Sequence, residues 1–149
     1  MTNKQSSKCV RCGHDPSELV LATWSFLIER DPPSLNKRLY NAGPGRHLYR
    51  QERDMWCWEF RAARLTRSIP KADGRRRVTL ARLYGGRQQE RDYDNLAGGM
   101  KAVVDAMVSE GLLTNDTPDQ AEITYQQAVA KTLESRGLLV LIESVGAAA

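Results

Sequence analysis

Apolar and polar positions alternate along this chain with periods that change several times. Leu19 to Glu29, LVLATWSFLIE, is a nearly unbroken run of aliphatic, aromatic and β-branched residues and predicts a buried strand. The next stretch, RDPPSLNKRLYNAGPGR, holds Pro32, Pro33, Gly43, Pro44 and Gly45 and predicts a long loop. Arg46 to Arg67 has no breaker and predicts a helix, although Met55, Trp56, Trp58 and Phe60 spread around its axis instead of forming one stripe. PKADGRRR predicts a turn with Asp73-Gly74 at its tip, and Val78 to Tyr84 a strand. A second helix opens in RDYDNLAGGMKAVVDAM, runs to about Glu110 and stops at Gly111, a residue suited to the left-handed C-terminal position. LLTNDTPD is a loop, and QAEITYQQAV and GLLVLIESV are strands. The expected fold is α/β (α+β), a small mixed β-sheet with two main helices packed on it, in the order βαβαββ.

A chain of 149 residues has the size of one compact domain. The expected division is a polar N-terminal arm (1–18), one domain (19–145) and a frayed Gly-Ala tail (146–149). No apolar run is long enough to span a bilayer, and MTNKQSSK lacks the apolar centre of a secretory signal, so a cytoplasmic location is expected, in a bacterial or phage-infected cell. Three cysteines argue against a disulfide framework. In the arm, CVRCGHD offers Cys9, Cys12 and His14 as three zinc ligands, but a closed structural site needs four. Cys57 and His47 could supply the fourth, with no spacing to support either. An unbound arm is the favoured reading.

Charge changes the picture more. Leu35 to Arg91 holds 15 Lys or Arg against 5 Asp or Glu, whereas Asp92 to the end holds 3 against 9. Either the chain has a basic surface for a polyanion beside an acidic pocket for cations, or it has two solvated faces of opposite sign. On the first helix Arg46, Arg50, Arg53, Arg61 and Arg64 fall within about 80° of one another. With Arg75, Arg76 and Arg77 at the expected loop tip, they are the candidates for holding phosphates.

The second helix carries the densest chemistry. Leu96, Met100, Val103, Val104 and Met107 share an arc of about 100°, the width of a core-facing stripe. Asp94, Gly98, Lys101 and Asp105 form one line opposite it, with Asp92 at the same end and Asp116 in the following loop. Singly, each has an ordinary explanation: Asp94 as an N-cap, Lys101 and Asp105 as an i,i+4 pair. Together, Asp92, Asp94 and Asp116 would repel unless paired or bridged by a cation, and oxygen-only ligands suit Mg²⁺ or Mn²⁺.

Here the chain resembles a family. Asp92-Tyr93-Asp94-Asn95-Leu96, then Lys101 to Asp105-Ala106, then Gly111-Leu112-Leu113-Thr114-Asn115-Asp116 is similar to the D-x-D-N-L, K-x-x-x-D-A and G-L-x-x-[DN]-D elements of the RusA-type Holliday junction resolvases and their phage-borne relatives. Pro32-Pro33-Ser34-x-Asn36 is similar to that family's P-P-S-x-N element, and the resemblance runs in order from about Trp24 to Val145. It implies a metal-dependent endodeoxyribonuclease of DNA recombination and repair that cuts four-way junctions by paired nicks. Asp92, Asp94 and Asp116 would hold Mg²⁺ (or Mn²⁺), with Asp105 a further acidic residue and Lys101 the functional lysine. Ser34 and Asn36, with Lys37 beside them, would shape the site or bind DNA. Two nicks on opposite strands need two active sites, hence a homodimer. Two departures stand out: Lys101 lies seven residues after Asp94 where the family's simplest members have four, with Gly98-Gly99 between, and Asn115 stands where an acidic pair is common. The rival expectations are a branched-DNA-binding protein without catalysis, and a protein-binding domain whose aspartates are caps.

Overall fold

A computed structural model of the chain describes residues 18–35 and 45–147. Four strands, β1 (Glu18–Ile28), β2 (Arg76–Tyr84), β3 (Ala121–Val129) and β4 (Gly137–Ala147), form one mixed sheet in the order β1-β4-β2-β3. β4 runs antiparallel to both β1 and β2, and β2 runs parallel to β3. The helices are α1 (Gly45–Thr66), α2 (Tyr93–Gly99) and α3 (Lys101–Ser109). The α+β fold and the βαβαββ order are those expected, with the second helix divided in two.

Period-2 alternation sets the face of the sheet that meets the helices. Phe26 and Ile28 of β1, Leu138, Val140 and Ile142 of β4, and Val78 and Leu80 of β2 are buried against Trp56 and Phe60 of α1 and Met100, Val103 and Met107 around α3. Burial of these side chains is the main stabilising term, on the order of 25 cal/mol per Å² of apolar surface. α3 ends as expected. Gly111 (φ +76°) takes the left-handed conformation, Leu112 N–H donates to Met107 O (2.9 Å) and Gly111 N–H to Val108 O (3.1 Å). These are the paired bonds of a Schellman cap, closed by contact between buried Met107 and Leu112.

The break between α2 and α3 has a tertiary cause. A Cβ on Gly99 would lie 1.8 Å from Pro33 O, and one on Gly98 would meet the Leu35 side chain at 2.9 Å. The two glycines therefore let the Pro32–Leu35 loop settle on the helix. Met100 N–H bonds Ala97 O in a tighter turn, and Val104 N–H resumes the ladder at Met100 O.

Two expected boundaries are corrected. Gly146 and Ala147 are not a frayed tail, because they pair with Leu19 and Glu18 of β1. Arg76 and Arg77 are not at a loop tip, because β2 starts at Arg76. Among the described residues no helix is long and apolar enough to cross a membrane.

Candidate functional site

The site is built where β2, the Pro32–Leu35 loop and α2 meet. Arg82, at an inward position of β2, is 2 % exposed; it donates to Asp31 Oδ1 (2.7 Å) and Gln89 O (2.9 Å). Arg91 donates to Asp31 Oδ2 (2.9 Å) and Pro32 O (2.6 Å). Its own backbone is held from β3: Arg91 N–H donates to Gln127 Oε1 (3.1 Å), and Gln127 Nε2 donates back to Arg91 O. The chain therefore enters Asp92 from a fixed direction. Burial pushes the Arg91 guanidinium down, against the upward pull of Asp31.

Asp92 begins α2. Its Oδ1 accepts from Asn95 N–H (3.0 Å) and its Oδ2 from Asn95 Nδ2 (2.6 Å), which makes Asp92 the N-cap in place of the expected Asp94. These two donors hold its carboxyl below the usual carboxylate range. Asp94 is exposed in the first turn, where negative charge suits the helix dipole. Between them Tyr93, also exposed, meets Tyr125 of β3 edge to face at 6.5 Å between ring centres. Burial first, then the charges of Tyr93 and Asp116, push the Tyr125 hydroxyl up.

Lys101 gathers the rest. Its ammonium lies 2.7 Å from Asp105 Oδ1 and 3.6 Å from Asp116 Oδ2. The other oxygen of Asp105 accepts the Tyr49 hydroxyl from α1. Asn115 Oδ1 accepts the N–H of its neighbour Asp116 (2.8 Å), in the loop that carries that carboxylate. The polar line of the helix thus meets the following loop. The three-residue shift leaves the lysine beside Asp105 and Asp116.

In kind, Asp92, Asp94 and Asp116 suit a hard divalent cation: all three are exposed oxygen donors. In placement, no group of three His, Cys, Asp or Glu close enough to hold a metal ion occurs among the described residues. A polar cleft of about 270 Å³ reaches Asp31, lined also by Glu29, Gln88, Glu134 and Arg136, and takes in none of these aspartates.

The basic candidates divide. Arg50 is next to Tyr49 on α1 and Arg53 one turn after it, and the Tyr49 hydroxyl donates to Asp105. Arg61 is anchored further along, bidentate to Glu110 (3.0 and 2.8 Å). The Arg75–Arg77 triplet is committed to the protein. Arg76, 3 % exposed, donates to Leu112 O (2.9 Å) and Pro70 O (2.8 Å) and lies 5.1 Å from the Trp24 ring centre. Arg77 pairs with Glu18 (3.2 Å), Glu122 (3.3 Å) and Glu143 (3.5 Å), and Arg75 with Glu18 and Glu122. These three arginines are withdrawn as phosphate contacts, because neighbouring carboxylates and carbonyls already answer their charge and donors.

Ser34 lies against Gly99, whose added Cβ would be 3.2 Å from Ser34 Cα. Asn36, Lys37, Cys9, Cys12, His14 and the Arg46 side chain lie outside the described residues. Cys57 is half-buried, with its thiol pushed up by burial and Glu110, while His47 is exposed beside Gln51. Sequence reading missed Asp31, Arg82, Arg91, Tyr49 and Gln127. Only Arg82 carried a local signal, a charge at an inward position of the alternating strand Val78, Leu80, Arg82. Compared with protein-family models and with curated proteins, the chain matches none.

Proposed function

We propose that the protein is a metal-dependent endodeoxyribonuclease acting on four-way and other branched DNA, as the resemblance to RusA-type resolvases implies. The observation that carries the proposal is the placement of Lys101. Its ammonium sits between Asp105 and Asp116, at the start of α3, the helix that follows the one Asp92 and Asp94 open. Asp92, Asp94 and Asp116 would hold Mg²⁺, which when bound supplies an activated water and neutralises charge on the phosphodiester. Lys101 stabilises charge developing on the phosphate. Asp105, fixed by Tyr49, aims Lys101. Arg50 and Arg53 hold the backbone of the arriving strand, so binding weakens as salt rises. The Asp31–Arg82–Arg91 network keeps the Ser34 loop and Asp92 in register. Paired nicks on opposite strands call for two copies related by a two-fold axis.

The test is cleavage of a synthetic four-way junction with Mg²⁺ and with chelator, wild type beside Asp94→Asn. Asp94 is the chosen position because it does not cap the helix. Metal-dependent paired nicking that Asp94→Asn abolishes, with junction binding retained, is the expected result. Binding without nicking in the wild type makes the chain a non-catalytic branched-DNA-binding protein. No junction binding at low salt removes both DNA readings and leaves a protein-interaction domain, for which the cap geometry of Asp92 already speaks.

A further inference from the structure

Two aromatic side chains among the described residues are exposed, Trp58 at 68 % and Tyr93 at 63 %. They are held differently. Trp58 carries the Arg61 guanidinium over its ring, 4.9 Å from the centre, and Glu110 holds that guanidinium in a bidentate pair. Tyr93 meets Tyr125 at 6.5 Å between ring centres, with the ring planes 63° apart. A single neighbour at that angle steadies the ring and leaves at least one of its faces uncovered. Tyr125 is a firm backing, because it is half-buried, packs against the core and pairs with Leu80 in the β2–β3 register. β3 is an edge of the sheet, so among the described residues no further strand stands beyond the pair. The fold does not ask for a ring here. Tyr93 is the first residue of α2, where tyrosine has no helix-propensity advantage over serine.

We propose that Tyr93 stacks on an unpaired nucleobase beside the phosphate held at Asp92 and Asp94, a placement that rests on the nuclease reading. Its neighbours say why a ring is useful there. Asp92 and Asp94 flank Tyr93 in the chain, and their carboxylates repel the DNA backbone until a cation stands between them. A base is uncharged, so stacking supplies attraction at the place where a phosphate contact by itself cannot. Within a continuous duplex both faces of a base are covered by its neighbours. At a branch point, in a flap or in a single strand a face becomes available, and aromatic side chains take up such bases. This contact is tolerant of sequence, because every base has a π-face. The substrate class it selects is DNA with an unstacked base, ahead of continuous duplex. Arg50 and Arg53 would attract either form through its phosphates, so the discrimination falls to the ring.

Binding of the full chain is read with chelator present, so that no strand is cut and catalysis does not enter. The probes are a synthetic four-way junction, one of its strands alone, and that strand annealed to its full complement. Tyr93→Leu keeps apolar bulk against Tyr125 and loses the aromatic face, whereas Tyr93→Phe keeps the face. Tyr93→Leu is expected to weaken binding to the junction and the single strand by about 10-fold or more, and to the duplex by less than about twofold. Tyr93→Phe should match wild type. Stacking releases no counterions, so the Tyr93→Leu deficit should stay constant as salt weakens all binding. With 5-iodouracil in place of thymine at the branch point, irradiation of the wild-type complex should crosslink the DNA to the peptide that holds Tyr93, because that base reacts with a ring stacked on it. A Tyr93→Leu protein, shown folded by circular dichroism, that binds junction and single strand as wild type does overturns the proposal. So does an equal loss on duplex, a crosslink that maps only elsewhere, or a wild type that binds neither junction nor single strand. The two readings fail separately. A wild type that binds through Tyr93 and never cuts with Mg²⁺ removes the nuclease and keeps the stacking site. One that cuts, and whose binding is indifferent to Tyr93→Leu, removes the stacking site alone.

Discussion

The Arg75–Arg77 run and the Asp92–Lys101–Asp116 constellation are both dense in charge, and the fold treats them oppositely. Around Arg75 and Arg77, three glutamates from β1, β3 and β4 converge, and Arg76 is buried under Trp24 with its donors on two carbonyls. Around Lys101 the groups are more open: its side chain is 52 % exposed, Asp116 is 42 %, Asp105 is half-buried, and Asp94 stands in the first turn of α2. The first cluster spends its charge on joining strands. The second keeps charge where an incoming phosphate or cation can reach it. Charge density along a sequence therefore says little about function until the partners of each charge are known.

The largest expected effect falls on the first cluster. Arg76→Ala removes two hydrogen bonds, to the buried carbonyl of Leu112 and to that of Pro70, and empties the space under Trp24. A cost of about 2–4 kcal/mol is expected in denaturant unfolding, because unpaired buried acceptors and a cavity both destabilise. Junction binding by the fraction still folded should be unchanged. A stable Arg76→Ala protein that loses DNA binding would return the triplet to the phosphate contacts and undo the contrast.

How far the sequence carries differs between these regions for physical reasons. Strand and helix positions were legible because local periodicity encodes them, although β1, expected buried, is exposed at Leu19, Val20 and Leu21. Gly111 was legible because a left-handed cap is a local demand. The Lys101–Asp105 pair was legible as an i,i+4 spacing, and the approach of Asp116 followed from the face on which Lys101 lies. Gly98-Gly99 read as a weak helical turn, whereas their cause is Pro33 O, a contact from the other end of the domain. Arg75 to Arg77 read as a loop because their partners Glu18, Glu122 and Glu143 are some 45–65 residues away in the chain, and only strand register brings them together. Asp92 and Asp94 are both plausible caps by residue type. Asn95, three residues after Asp92 and able to return a side-chain bond, decides between them.

That cap supplies the next test. Asp92 is depressed in the folded chain, so its contribution is fully present above its unfolded carboxylate value and is lost as pH falls through the lower folded value. Asp92→Ala is expected to lower the thermal midpoint by a few degrees at neutral pH. The gap to wild type should persist at mildly acidic pH and close only below the ordinary carboxylate range. A gap that closes well above that range would mean that Asn95 does not hold the carboxylate ionised. Asp92→Asn, which keeps an acceptor, should recover part of the stability and none of the proposed metal binding.

The smallest expected effect on folding is the most informative for function. Lys101→Met removes an ammonium that joins half-buried Asp105 to exposed Asp116 but keeps its aliphatic stem. Exposed ion pairs contribute about 0.5 kcal/mol or less, so the unfolding midpoint should barely move. If the site is the proposed nuclease, single-turnover cleavage of a four-way junction should fall by about 10²-fold or more, with binding little changed, because Lys101 then acts on charge that develops only in the transition state. A variant that loses stability once the ammonium is removed from Asp105 and Asp116 would place Lys101 with Arg76, as a structural cation. A stable variant that cuts as fast as wild type would separate the lysine from the chemistry and leave the aspartates to be tested by themselves.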